Sequence, residues 1–84
     1  MSEEARNIER QRTIWSAKLL TNDGELPVRV HDVSPTGARV RSERRLLEGQ
    51  EVVLRHKDKF VCAHIAWSKT DEAGLEFFRE QDEF

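Results

Sequence analysis

Arginine side chains are concentrated near the start of the chain, at Arg6, Arg10 and Arg12. A guanidinium can donate two parallel hydrogen bonds, either to two phosphate oxygens or to the O6 and N7 atoms of a guanine base. Lysine cannot reproduce that planar fork. Two arginines that act together therefore suit a ligand with several such groups. The run Arg10-Gln11-Arg12 leaves two candidate pairs, Arg6 with Arg10 and Arg10 with Arg12.

A second candidate segment is Asp32-Val33-Ser34-Pro35-Thr36-Gly37, which interrupts a pattern of alternating residues. The Asp32 carboxylate can accept hydrogen bonds from ring and amino N–H groups, and the Ser34 hydroxyl can donate or accept beside it. Gly37 has no Cβ, so it permits a positive φ and lets a ligand come close to the main chain. Taken alone, the segment is equally typical of an ordinary turn in which Asp and Ser bind local amides.

The elements that must position these residues are short strands. Apolar and polar residues alternate with a period of two, and turn residues such as Asn22-Asp23-Gly24 separate the runs. Six strands are predicted, near residues 14–20, 26–32, 38–41, 50–55, 60–68 and 73–78. Because a flat sheet would leave costly open edges, we expect a small antiparallel β-barrel, closed or nearly so.

The domain organisation follows from the same pattern. Residues 1–12 are rich in Arg and Glu and do not alternate, so they are expected to form a flexible N-terminal arm. Residues 13–84 are expected to form a single barrel domain. Any C-terminal helix is expected to be short.

Composition narrows the function classes. The chain has 84 residues, 37% hydrophobic and 36% charged, which is typical of one soluble domain with a thin core. No apolar run approaches the roughly 18 residues of a membrane span, and the N-terminus lacks the apolar stretch of a secretory signal. The single cysteine, Cys62, is expected to be a small core residue in a reducing compartment. We therefore expect a cytoplasmic protein.

Charge is unevenly distributed along the chain. The net charge is −2, yet arginines outnumber acids over residues 29–45, whereas residues 71–84 are acidic. Such a chain can hold a local anion without being a general polyanion binder. A small RNA- or single-strand-binding barrel is the least favoured class, because such proteins need exposed stacking aromatics over a basic groove. No DNA or RNA partner is therefore expected.

Taken together, the two segments and the strand pattern resemble the PilZ domain family. Its signature is R-x-x-x-R followed, after some twenty to thirty residues, by [D/N]-x-S-x-x-G, and both halves occur here in that order. Gly37-Ala38 opens a strand as in the family. Ile65-Ala66-Trp67 followed by Gly74-Leu75-Glu76-Phe77 looks like the family's closing hairpin, so the resemblance covers nearly the whole chain.

The resemblance implies a six-stranded barrel that binds cyclic di-GMP as a ligand, not as a catalytic cofactor, and relays its level to an effector protein. By this resemblance, Arg6 and Arg10 are the residues that bind the nucleotide. Arg10 and Arg12 are the alternative pair. A second cluster is carried over as well, and it consists of Asp32, Ser34 and Gly37, with Trp67 as a candidate for packing beside a base.

One departure from the family favours an alternative function. Family segments often begin with consecutive arginines, whereas Asn7 follows Arg6 here, and some family members do not bind the nucleotide. The alternative is an adaptor that binds another protein constitutively, through the arginines of residues 39–45 or the acidic tail. In either case we expect a monomer or a weak homodimer.

Catalytic and metal sites are not expected. Cys62 and His64 share a strand face, but zinc needs more ligands than these two. Adjacent residues such as His31 and Asp32 point to opposite sides of a strand, which excludes a hydrolytic triad with Ser34. We therefore predict no enzyme activity.

Overall fold

A computed structural model of the protein describes residues 11–81, with side chains from Trp15 onward. Six antiparallel strands account for most of these residues. They are β1 (Gln11–Thr21), β2 (Gly24–Ser34), β3 (Gly37–Ser42), β4 (Glu51–His56), β5 (Lys59–Ser68) and β6 (Glu72–Phe77).

The strands close into a barrel in the order β1-β2-β3-β6-β5-β4. Closure is completed by β1 and β4, whose pairing runs from Lys18 opposite Arg55 to Leu20 opposite Val53. A closed ring pairs every strand on both sides and so removes the exposed edges of a flat sheet. The prediction of an all-β, six-stranded antiparallel barrel is confirmed.

The barrel interior is filled by every second side chain along each strand. Inward residues are buried and their neighbours face outward, as the period of two predicts. Five side chains are the largest that are fully enclosed, and they are Leu19, Val30, Val40, Leu54 and Ile65. They come from five different strands, so the core ties the whole ring together.

The first strand begins earlier than its apolar pattern predicts. β1 starts at Gln11, and the backbones of Gln11 and Arg12 pair with Val33 and Asp32. Backbone pairing needs no apolar alternation, and the register shifts between Arg12 and Trp15. The last two residues of the expected arm therefore lie in a strand, while residues 1–10 lie outside the described part of the chain.

The possible C-terminal helix is not found, since residues 11–81 contain no helix. The Phe78 N–H donates to the Cys62 carbonyl at 3.0 Å, and the Gln81 N–H donates to the Pro35 carbonyl at 2.7 Å. Because these donors bind distant strands and turns, the segment after β6 is fastened to the barrel and does not form helical hydrogen bonds. Residues 82–84 lie outside the described range. Nowhere in that range is there a helix of the length and apolarity needed to cross a membrane.

The expectation for Cys62 is wrong. Its side chain is exposed, because Val61 and Ala63 on either side of it point into the core and are buried. In a strand, the residue between two inward residues must face outward.

Candidate functional site

The turn between β2 and β3 borders a pocket of about 270 Å³. Four of the residues singled out in the sequence line it, namely Asp32, Ser34, Gly37 and Trp67. The first three come from the β2–β3 turn and its flanks, and Trp67 comes from the end of β5. The barrel therefore brings together two regions that are thirty or more residues apart in the chain.

The carboxylate of Asp32 is bound by an arginine of the neighbouring strand. Arg39 on β3 donates from Nε to Asp32 Oδ2 at 2.8 Å, and its second terminal nitrogen lies 2.7 Å from the same oxygen. The remaining terminal nitrogen of Arg39 binds Glu72 at the start of β6. One guanidinium thus joins acidic side chains from the strands on both sides of its own.

The electrostatic consequence is that Arg39 is held in its charged form. The hydrogen bond from Arg39 to Asp32 is the largest cause that raises the pKa of Arg39, and Glu72 contributes in the same direction. The side chain of Asp32 is only 14% exposed, against 36% for Arg39. A largely buried carboxylate needs such a partner, because desolvation of an isolated charge is costly.

Sequence reasoning placed Arg39 among surface arginines and missed this role. The register explains it, since the β2–β3 pairing shifts between Val30 and Asp32 and then sets Asp32 opposite Arg39. The shift leaves His31 as an extra residue on β2. The sequence does show an arginine, Arg39, two residues after Gly37 on the outward face of the strand. The register shift that sets Arg39 opposite Asp32 is not visible in the sequence.

Ser34 is held in place by the turn itself. Its hydroxyl accepts from the Thr36 N–H at 3.4 Å and donates to the Gly37 carbonyl at 3.5 Å. Both distances are long for hydrogen bonds that involve a hydroxyl. The hydroxyl is therefore oriented toward the turn by contacts weak enough to be exchanged for those of a ligand.

Gly37 lines the pocket, but the positive φ expected of it is not found. Its φ is not positive, since Gly24 and Gly49 are the glycines with positive φ in the described range. A Cβ at Gly37 would lie 2.3 Å from the backbone carbonyl oxygen of Leu75 on β6. The absence of a side chain thus permits close approach of a neighbouring strand.

Trp67 forms a wall of the pocket by lying across a second glycine. It pairs with Gly74 on β6 after a register shift that follows Ile65, and a Cβ at Gly74 would lie 2.1 Å from the indole Nε1. Lys69 Nζ lies 5.5 Å from the centroid of the ring, within cation–π range. Gly74, which sequence reasoning did not assign to the site, is therefore what allows the indole to lie flat there.

The N-terminal arginines are only partly placed. The backbone of Arg12 pairs with that of Asp32, so the strand that carries Arg12 runs along the strand that carries the turn. Arg6 and Arg10 lie outside the described residues. The assignment of all three to a binding site stays a prediction.

Within residues 11–81, no group of three or more His, Cys, Asp or Glu side chains is arranged to hold a metal ion. His64 Nε2 lies 3.1 Å from Glu76 Oε1, and the imidazole ring stacks with its centroid 5.8 Å from that of the Phe78 ring. Both contacts are those of a surface histidine with its strand neighbours.

Comparisons with known proteins bear on the whole chain. Comparison with curated proteins finds no match. The family model of the PilZ domain matches residues 4–83, a range that includes the N-terminal arginines, the β2–β3 turn and the β5–β6 hairpin. PilZ domains are binding and adaptor modules, not enzymes, and the family is known for binding cyclic di-GMP. The chain therefore belongs to the PilZ domain family.

Proposed function

We propose that this chain binds cyclic di-GMP at the pocket beside the β2–β3 turn and relays that binding to an effector protein. One observation carries the proposal: Asp32, Ser34, Gly37 and Trp67 line a single pocket, although Trp67 is far from the others in sequence. The nucleotide acts as a ligand, and no reaction is proposed.

Recognition of a guanine base fits the chemistry of the pocket. The carboxylate of Asp32 can accept from guanine N1–H and N2–H, and the Ser34 hydroxyl can bind beside it. Trp67 offers an aromatic face on which a base can stack. Because Arg39 already binds Asp32, the guanine base would share this carboxylate with Arg39 or displace it.

Recognition of the phosphates is assigned to the N-terminal arginines. Gln11, the residue directly after Arg10, pairs with Val33 in the strand that leads into the turn. Arg10 is therefore one residue away from a strand pair that borders the pocket. We propose that Arg6 and Arg10, or Arg10 and Arg12, donate to the two phosphates. Contact of this segment with the ligand would present a new surface to the effector.

A second candidate function is a constitutive adaptor that binds a protein without nucleotide. One observation favours it: Arg39 already binds the motif carboxylate of Asp32 in the structure. An adaptor would keep this pair intact and would use its surface arginines or acidic tail for the partner.

Titration of the purified chain with cyclic di-GMP, followed by calorimetry and by NMR, separates the two functions. A receptor gives heat and shifts in the resonances of the β2–β3 turn and of the residues before β1, whereas an adaptor gives neither. Cyclic di-AMP is the matched control nucleotide, because adenine lacks the N1–H and N2–H donors that Asp32 would accept. Equal binding of both nucleotides would contradict guanine recognition by this pocket.

The arginine assignment has its own test. Arg10→Ala is expected to cost about 1–3 kcal/mol of binding, since a good bidentate contact contributes about that much. Arg45→Ala, an exposed arginine outside the pocket lining, is the matched control and should leave the affinity unchanged. Unchanged affinity of the Arg10 variant would remove Arg10 from the site.

A further inference from the structure

A groove crosses the outer face of β1, β2 and β3, separate from the pocket beside the β2–β3 turn. Its volume is about 870 Å³, which lies within the range of specific ligand sites in proteins. The two sites share no lining residue among those that the structure describes. We call it the basic groove, and its charged lining residues are Lys18, Arg29, Arg41, Arg44, Glu43 and Asp71.

The centre of the basic groove holds two arginines directly opposite each other. Arg29 on β2 pairs with Arg41 on β3, and both side chains are exposed. Like charges at opposed positions destabilise a sheet. The next outward pair on the same two strands, Asp32 with Arg39, has opposite charges and forms an ion pair. A local pairing that weakens the sheet without an evident structural gain is typical of residues that serve binding.

The acids of the basic groove neutralise only part of its positive charge. Arg41 donates to Asp71 at 2.7 Å. Neither Arg29 nor Arg44 forms an ion pair with any side chain in the described range, and Glu43 forms none there either. Charge-assisted hydrogen bonds from a guanidinium to a carboxylate are short and strong. The guanidinium groups of Arg29 and Arg44 are therefore available to an anionic partner.

The spacing of the cations favours a ligand with several separate acidic groups. Lys18, Arg29 and Arg41 lie on three successive strands, and two strand spacings spread them over about 10 Å. A single phosphate group is too small to bridge that span. Lys18 Nζ lies 3.7 Å from Glu25, in an exposed contact weak enough to be exchanged for that of an incoming carboxylate.

The groove does not suit a nucleotide or an RNA strand. Among the described residues, no tryptophan or phenylalanine lines it, and such ligands need aromatic side chains on which their bases stack. Its floor is aliphatic instead, since Pro27 is exposed there and parts of Leu26 and Val28 also line it. An aliphatic floor between cations fits a peptide in which carboxylates flank an aliphatic side chain.

The acidic residues that follow β6 do not fill the groove of the same molecule. The Gln81 N–H donates to the Pro35 carbonyl at 2.7 Å, and Asp82 and Glu83 extend at most about 7 Å of chain beyond Gln81. Arg29 lies six residues before Pro35 in the chain, which is about 20 Å along a strand. We therefore assign the acidic segment to a partner.

We propose that the basic groove binds an acidic segment of the effector protein, in which carboxylates flank an aliphatic residue. The proposal rests on the proposed relay to an effector, and it gives the chemistry by which that effector is recognised. It applies equally to a nucleotide-dependent receptor and to a constitutive adaptor. Because the groove and the pocket share no described lining residue, peptide binding and nucleotide binding can be tested separately.

NMR titration of the full chain with a synthetic peptide tests the groove. The peptide has a central leucine flanked on each side by two glutamates, and its matched control has glutamines in place of the glutamates. The acidic peptide should shift the amide resonances of residues 27–31 and 41–44. Lys57 and Lys59, which are exposed in and beside the β4–β5 turn, should not shift. Binding should weaken as the salt concentration rises, because exposed charges are screened.

Substitution of the two available arginines tests the contacts. Arg29→Gln and Arg44→Gln should each weaken binding of the acidic peptide about tenfold. Arg45→Gln is the matched control, since Arg45 is exposed but does not line the groove, and it should leave the affinity unchanged. Thermal unfolding of Arg29→Gln should show no loss of stability, because the variant removes the like-charge pair with Arg41. The loss of binding is then separate from folding.

Three results would overturn the proposal. They are absence of peptide binding, equal binding of the glutamine peptide, and peptide binding that neither Arg29→Gln nor Arg44→Gln weakens. Pyrophosphate in the same titration gives a further test, since binding of pyrophosphate at the groove more tightly than the peptide would identify a phosphate site instead. Cyclic di-GMP should bind Arg29→Gln as it binds the wild type. A wild-type chain that binds the peptide but not cyclic di-GMP would contradict the receptor function and support the groove.

Discussion

Arg39 and Asp32 lie directly opposite each other on β3 and β2 and share two contacts of 2.7 and 2.8 Å between the guanidinium and one carboxylate oxygen. The same guanidinium binds Glu72 on the far side. The acidic residue of the candidate site is therefore part of a bridge across three neighbouring strands. A bridge of this kind gives Asp32 a structural role in addition to the proposed ligand contact.

Removal of the bridging guanidinium should destabilise the barrel. Arg39→Ala leaves two carboxylates near each other without their shared cation, and we expect a loss of about 1–2 kcal/mol, discounted because the Arg39 side chain is 36% exposed. Urea unfolding measures the change. Arg29→Ala, an exposed arginine on β2, is the control and should cost less than about 0.5 kcal/mol. Equal effects of both variants would contradict the bridge.

Replacement of the site carboxylate should weaken nucleotide binding. Asp32→Asn keeps the shape but converts one acceptor oxygen into a donor, so we expect about 10- to 100-fold weaker binding of cyclic di-GMP. Calorimetry gives the affinity. Asp23→Asn, in the exposed β1–β2 turn, is the matched control. If Asp32→Asn folded normally and bound as tightly as the wild type, Asp32 would not contact the nucleotide.

A side chain at Gly37 should displace β6. Gly37→Ala places a Cβ against the carbonyl oxygen of Leu75, and because backbone cannot rotate away as a side chain can, we expect destabilisation of about 1–3 kcal/mol. Thermal unfolding in the absence of any ligand tests this. Thr36→Ala, in the same turn and exposed, should have little effect. A Gly37 variant of normal stability would show that the two strands can separate at no cost.

Acid should remove the stabilising contribution of one surface ion pair, between Arg41 and Asp71. Arg41 donates to Asp71 at 2.7 Å, and this hydrogen bond is the main cause that lowers the pKa of Asp71. The pKa of Asp71 is therefore lower in the folded chain than in the unfolded chain. The pair stabilises the fold at pH values above the ordinary aspartate pKa of about 3.9. This contribution is lost as the pH falls through the lower pKa of the folded chain. The effect should be small, because both side chains are more than half exposed.

Comparison of the wild type with Asp71→Asn isolates this contribution from those of the other acids. The difference in their free energies of unfolding should be constant between about pH 7 and pH 5 and should shrink below about pH 4. Urea unfolding at several pH values provides the measurement. A difference that grows as the pH falls would show that the sign is wrong.

The sequence predicted the architecture because each strand is recognised from the order of neighbouring residues alone. Alternation of apolar and polar residues is visible in the sequence, and the need to pair every edge turns six such strands into a ring. The same rule, applied strictly, would have placed Cys62 outside the core, since both of its neighbours are apolar residues that point inward. The start of β1 was less predictable, because the backbones of Gln11 and Arg12 join the ladder where the sequence shows no apolar alternation.

The sequence by itself determined the barrel, the family signature and the chemistry available to Asp32 and Ser34. Only the tertiary structure decided which groups meet: Arg39 with Asp32, Trp67 with Gly74, and Gly37 with the backbone of Leu75. Register shifts after Val30 and Ile65 set the first two of these meetings. A one-residue shift changes every cross-strand partner beyond it, and it arises from closure of the whole ring, so no local pattern in the chain records it.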